Sequence, residues 1–327
     1  MAITLPLGWV HPNDRTQEQN DIHADIMAAM PKFAMPPNVF NGTPPVGTKF
    51  ILTELWSHAK VIAAFGFAFP GIHQITGSCV WAGGENVVTT VNMVDVIKNN
   101  EPEKIIRPFC LYNYGMSRKR AGMRGQGEGS FGSTFAESCT KDGCADGNLP
   151  ELGLPKPTNS DQIIYGKSIE MQWSDGEKAK TDLRNEAVKR LIKTTTPIKD
   201  GAGVRDAILN AYPVTRAFGT FVNPGSQRVK GDVLVGSYDG NGGHQESWLG
   251  YWNHPQQGEL IFEMNQWGHD VYGVDPGGGA PGGLWIRLEE VDRQCKGQYS
   301  EVFAFSQYDG YPAQPDLFDW DKQSFFS

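Results

Sequence analysis

The sequence predicts an α+β fold, and three observations predict it. Up to residue 212, apolar residues recur mostly at helical spacing. From residue 213 onward, short strand-like runs alternate with Gly, Asn and Pro clusters. The 327 residues include 39 Gly, 21 Pro and 9 Trp, a mixture that suits loops, strands and large aromatic core pieces better than a helical bundle. The length is enough for one large domain or two ordinary ones. Hydrophobic residues at 39% and charged residues at 20% suit a soluble globular chain, and the net charge of −8 argues against a general nucleic-acid-binding surface. No run of about 18 apolar residues exists, so no membrane span is expected. The opening Met1 to Pro12 lacks the basic region and apolar core of a signal peptide. The expected location is therefore the cytoplasm or an assembled particle.

Residues 1–70 form a Pro-rich extension. Ile22, Ile26, Met27 and Met30 mark a helix within it that Pro31 stops, and this extension either docks on its own domain or engages a protein partner. Pro70-Gly71 punctuates the approach to a Gly/Ser-rich turn. From Cys79 to about residue 98, Val80, Val87, Val88, Val91, Val94 and Ile97 predict a largely buried helix, ended by Asn99, Asn100 and Pro102. Gly83 and Gly84 cost that helix roughly 1 kcal/mol each, which is tolerable where another backbone passes close by. Ile105 to Tyr114 reads as a strand or buried turn, and the basic run from Arg118 to Arg124 as a solvated loop. The Gly-rich stretch from Gly125 lacks a phosphate-loop ending. It reads equally well as a connector capped by Ser133 before a short helix. Residues 177–193 predict an amphipathic helix, and residues 203–211 another, ended by Tyr212-Pro213. Strands are expected at 214–222, 231–238, 245–252, 258–264, 284–288 and 301–306. Tyr308 to Phe326 forms an aromatic tail that either straps its own domain or meets a protein partner.

The five cysteines are Cys79, Cys110, Cys139, Cys144 and Cys295. This odd set does not read as a disulfide framework, although Cys139 and Cys144 are close enough in sequence to pair. No Cys-x-x-Cys repeat suggests zinc, and neither a metal nor a cofactor is expected. Cys79 stands out because it begins a helix, where the dipole favours thiolate. His244 follows Gly242-Gly243 near the head of a strand. Asn265 ends another strand and is followed by Gln266, Trp267 and Gly268. A thiol, an imidazole to take its proton and an amide to orient the imidazole make an activated nucleophile.

Gly77-Ser78-Cys79, Gly243-His244 and Asn265-Gln266-Trp267-Gly268, in that order, resemble the papain-like cysteine peptidases. The resemblance runs from about Gly71 to Leu288 and is specific at these three motifs. It implies a two-lobed papain-like fold, a helical lobe with a central Cys-bearing helix packed against an antiparallel β-barrel-like lobe. That domain would span residues 71–290, helical over 71–212 and mainly β over 213–290. Residues 291–327 would form a C-terminal strand and aromatic tail. The resemblance also implies Cys79 as nucleophile, His244 as base, Asn265 as its orienting amide and Trp267 as cover for their hydrogen bond. Gln74 would help form the oxyanion hole, and Gly127 and Gly129 would line a substrate groove. Three departures stand out: Gln74 lies one residue closer to the cysteine than is usual, Val80 precedes Trp81, and Gln266 replaces a serine. The implied activity is thiol-dependent hydrolysis of a peptide or protein substrate, with cell-wall peptides as one substrate class. The other reading is a weak or inactive papain-like domain that serves as an assembly component, for example of a phage particle.

Overall fold

The computed structural model describes residues 7–31, 43–125, 127–156, 163–176 and 181–306. In chain order, helix α1 spans Gln17–Ala29, strand β1 Lys49–Ile51 and helix α2 Ala59–Phe65. Helices α3 (Cys79–Met93), α4 (Leu111–Arg120), α5 (Gly132–Lys141), α6 (Lys167–Trp173) and α7 (Thr181–Ala187) follow. Strand β2 (Thr194–Pro197) and helix α8 (Gly201–Leu209) lead into the strand-rich part: β3 (Val214–Phe221), β4 (Arg228–Lys230), β5 (Val233–Gly236), β6 (Gly240–His254), β7 (Gly258–Met264) and β8 (Gly283–Arg287). Helix α9 (Leu288–Cys295) and strand β9 (Glu301–Ser306) complete the described residues.

The strands form one open sheet in the order β2-β9-β3-β6-β7-β8-β5-β4, with β1 added to β6. Every pairing is antiparallel except that of β5 with β8. The α+β class is as the sequence predicts. Strand β1, from the Pro-rich extension, pairs Lys49 to Ile51 with Trp252 to Gly250. Strand β9 lies between β2 and β3. Both flanking stretches therefore share the sheet.

Helix α3 is buried at all fifteen positions, and a π-type turn over Val94–Lys98 prolongs it to the predicted end. Its two glycines are explained by close approach. A Cβ on Gly83 would stand 3.1 Å from the Gln245 carbonyl oxygen, and one on Gly84 would stand 2.2 Å from the Phe135 ring. Ser247 Oγ completes the contact by donating to the Gly83 carbonyl at 2.8 Å. The central helix thus lies against β6 at near-backbone distance, which fixes Cys79 relative to the strand that carries His244.

Four local expectations change. The apolar stretch from Ile105 ends in helix α4 rather than a strand, with Cys110 as its N-cap. The basic run is not a solvated loop throughout: Arg118 is fully buried. Its guanidinium donates to the carbonyls of Ser174, Met123 and Gly127 at 2.8, 3.0 and 2.6 Å and also to that of Gly129. Four backbone acceptors can hold a buried cation where a loose charge run would not. Helix α5 begins at Gly132 after Phe131, so Ser133 lies inside it and does not cap it. Of the helix predicted over 177–193, the described part is α7, which ends at Ala187 because Arg190 O and Ile192 N bond to Cys144 N and Cys139 O instead of continuing the helix. The aromatic tail lies outside the described residues.

Candidate functional site

The turn that delivers Cys79 is built on a carboxylate. Glu170 of α6 is buried and accepts from Ile75 N and Thr76 N, each at 3.0 Å. It also accepts from Thr76 Oγ1 at 2.6 Å and Ser78 Oγ at 2.7 Å. Ser78 Oγ in turn accepts from Trp81 Nε1 at 2.8 Å. A second carboxylate, Glu128, accepts from Gly77 N. Such charge-assisted bonds to successive backbone and hydroxyl donors fix a turn that glycine alone would leave loose. Cys79 is the first residue of α3, with its sulfur receiving the Gln245 backbone N–H at 3.3 Å.

Gln245 follows His244 on β6, so one strand presents both a donor to the sulfur and the imidazole. His244 Nε2 lies 3.3 Å from Asn265 Oδ1, and its ring stacks on Trp267 at 4.3 Å between centroids, 18° from parallel. Phe221 meets Trp267 edge-on at 5.2 Å. His244 Nδ1 is buried and has no hydrogen-bond partner among the described residues.

Behind Asn265 lies a buried polar cluster. Asn265 Nδ2 donates to Glu246 Oε1 at 2.8 Å and to Tyr272 Oη at 2.7 Å. The other oxygen of Glu246 pairs with Arg216, both side chains being fully buried. Glu263 accepts from Trp248 Nε1 at 2.9 Å and from Tyr238 Oη. Burial raises both carboxyls, Glu246 and Glu263, and the two lie within hydrogen-bonding reach of each other, so they share a proton. We assign the charge to Glu246, because both its oxygens already face N–H donors. Glu263 Oε1 has no N–H or O–H donor among the described residues, so the proton the two carboxyls share is placed on Glu263.

The N-terminal segment crosses this site. Gly8 N and Trp9 N both donate to the Gly243 carbonyl at 3.1 Å. Ser130 N donates to Gly8 O at 2.9 Å, and Val10 N to Ser130 O at 3.1 Å. A Cβ on Gly8 would lie 1.9 Å from the Gly77 carbonyl oxygen, and one on Gly243 would lie 1.8 Å from that of Trp9. Arg15 holds the segment from its far end, donating to Val10 O at 2.9 and 3.0 Å and pairing with buried Glu301. Burial opposes charge on Glu301, but Arg15 wins and keeps its pKa below the usual range. Cys79 and His244 are consequently sealed from solvent. Burial pushes the Cys79 thiol up to about 12, against the N–H groups of Gln245, Gly8 and Trp9. Burial also depresses His244 to about 3, although the Asn265 bond works the other way. In this closed arrangement both groups are neutral at neutral pH.

Among solved structures, the chain is similar to two cysteine proteases. Xylellain, a cysteine protease from Xylella fastidiosa, is 15% identical, with 85% of this chain and 95% of its own covered and a TM-score of 0.53. Procathepsin B S9 from Trypanosoma congolense is 14% identical, with 92% and 86% covered and a TM-score of 0.55. The chain has the papain-like fold. No family model matches it, and no curated protein matches it in sequence.

Within this papain-like frame, the remaining predicted residues divide. Gln74 is buried beside the cysteine turn, with its backbone N–H on the Gln266 carbonyl at 2.9 Å and its Nε2 donating to Thr76 O at 3.0 Å. Gly129, at φ +103°, faces the N-terminal segment: a Cβ there would meet Gly8 O at 2.7 Å. Gly127 does not meet the segment; space around its Cα is open, and its carbonyl serves Arg118. Sequence reasoning missed Glu170, Glu128, Glu246 and the Gly8 contact. Only Glu246 had a local signal, two residues after the histidine. All five cysteines are free, and the Cys144 thiol sits within hydrogen-bonding reach of both Cys110 and Cys139. Among the described residues, no group of three or more His, Cys, Asp or Glu could hold a metal, and no helix is long and apolar enough to cross a membrane.

Proposed function

We propose that the chain is a thiol peptidase of the papain-like kind, captured in a latent state with its own N-terminal segment in a groove between helical and β-rich lobes. The observation that carries this reading is the convergence of Cys79 at the head of α3 with His244 and Asn265 under Trp267. Once the segment leaves, the Cys79 thiol gives its proton to His244 Nδ1 and attacks a peptide carbonyl. The tetrahedral oxyanion would be met by Cys79 N and the Gln74 amide, the latter after release from Thr76 O. Collapse expels the amine, which takes the proton back from His244, and water then cleaves the thioester. Asn265 holds the imidazole throughout, and Trp267 keeps water from that bond.

Digestion of a peptide library by the Gly8→Ala variant, compared with the same variant carrying Cys79→Ala, tests this reading. Cleavage that depends on Cys79 is expected; equal cleavage by both, or none by either, refutes it. A second reading, an inactive domain retained as an assembly component of a particle, is favoured by one observation: the filled groove with a protonated, sealed thiol. On that reading Gly8→Ala exposes the thiol without creating activity.

A further inference from the structure

Asn265 is saturated on four sides. Its Oδ1 accepts from His244 Nε2 at 3.3 Å and from Gln266 N at 2.6 Å. Its Nδ2 donates to Tyr272 Oη and Glu246 Oε1. Gln266 N can only donate. Tyr272 Oη spends its own proton on the Val222 carbonyl at 2.9 Å and so can only accept from Asn265. Glu246 is an acceptor because it is ionised, and it is ionised because Arg216 faces its other oxygen. Of the four partners, Glu246 alone owes its acceptor character to a charge. That carboxylate also stands 3.8 Å from His244 Nε2.

We propose that Glu246, held by Arg216, is a positioning residue that locks the Asn265 amide and thereby selects the His244 tautomer. The inference rests on the peptidase reading for its purpose. With Oδ1 turned to the ring, Nε2 must carry the hydrogen, and the lone pair is left on Nδ1. Nδ1 is the ring nitrogen with no other described partner, and it is the one that must accept the thiol proton. Glu246 also offsets Arg216, whose nearby cation disfavours a charged His244. One other carboxyl reaches Glu246: Glu263 from β7 shares a proton with it and, holding that proton, leaves Glu246 the charge. Glu263 also serves Trp248 and Tyr238, and the Tyr238 ring lies 4.2 Å beneath the Arg216 guanidinium. The guanidinium's other partners among the described residues, Thr220 O, Thr220 Oγ1 and Gln294 Oε1 at 2.5, 3.2 and 2.8 Å, carry no charge.

The test reads the His244 tautomer from imidazole 15N chemical shifts, alongside the rate of Cys79 alkylation. In the unaltered chain the Nε2–H form should dominate. Glu246→Gln must turn its NH2 toward either Arg216 or Asn265. The charged neighbour repels it more, so it faces the Asn265 amide and pushes it away from the ring. The Nε2–H to Nδ1–H ratio should fall at least tenfold, with a matching loss of alkylation rate in the Gly8→Ala background. Should Glu246→Gln fail to fold with Arg216 unpaired, the double variant Arg216→Met, Glu246→Gln provides the second arm. There the glutamine is free to offer its oxygen, and the Nε2–H form should return. A role in stability alone would lower the melting temperature and leave the tautomer unmoved. An Nδ1–H majority in the unaltered chain, or an unchanged ratio in Glu246→Gln, overturns the inference. Absence of peptide cleavage with the expected tautomer pattern would refute only the peptidase reading.

Discussion

Gly8→Ala should release the thiol. The substituted Cβ would sit 1.9 Å from the Gly77 carbonyl oxygen, well inside any tolerated contact, and neither atom can move without its backbone. The segment must retreat by more than about 1 Å, the gap between that distance and ordinary contact. Retreat breaks the bonds from Gly8 N and Trp9 N to Gly243 O and from Ser130 N to Gly8 O. At about 1 kcal/mol net each, the closed state loses about 3 kcal/mol. The open fraction should then rise roughly a hundredfold, and Cys79 alkylation with it while the open state stays minor. The assay is iodoacetamide labelling near neutral pH, followed by peptide mass spectrometry. Buried Cys110, Cys139, Cys144 and Cys295 serve as internal controls, since general loosening would expose them too. Unchanged labelling of Cys79, or a rise shared by all five thiols, would refute the reasoning.

Other perturbations have equally direct consequences. Glu170→Ala strips the cysteine turn of one charged acceptor shared by four donor groups. A loss of about 3 kcal/mol is expected by denaturant titration, part of it because the freed donors stay buried. Gly84→Val drives a side chain into the Phe135 ring and should cost about 1–3 kcal/mol or more, read as a lower melting temperature. Trp267→Ala opens the His244–Asn265 bond to water and should lower the Cys79-dependent rate about tenfold. For His244, the folded pKa of about 3 lies below the unfolded value, so the unfolded chain gains a proton first as pH falls. Its stabilising effect is full above about pH 6.5 and is lost progressively toward pH 3. At pH 5 the loss is about 2 kcal/mol, and it should vanish in the difference between the unaltered chain and His244→Asn.

What the sequence made legible was chemistry carried by neighbours in the chain. Cys79 could be placed at a helix start because Gly77 and Ser78 precede it and a 3.6-residue apolar period follows. His244 and Asn265 sit beside glycine and tryptophan punctuation at strand ends, which survives even where Gln266 departs from the pattern. Arg118 was misread because a charge run looks solvated until four carbonyls from separate segments converge on it. The same holds for Glu170, nearly a hundred residues after the turn it organises. Gly8 carries no pattern at all. Its importance comes from the Gly77 and Gly243 backbones on either side, and one glycine among 39 gives no sign of that. Strands β1 and β4 escaped notice because three-residue strands have too little periodicity to register.

The most direct test of the account is the pH profile of Cys79 alkylation in the Gly8→Ala background, with and without His244→Ala. An assembled pair predicts labelling that reaches its plateau well below pH 8 and loses that plateau when the imidazole is removed. A rate that climbs only near the ordinary thiol value of about 8.5, and climbs identically without His244, would contradict it.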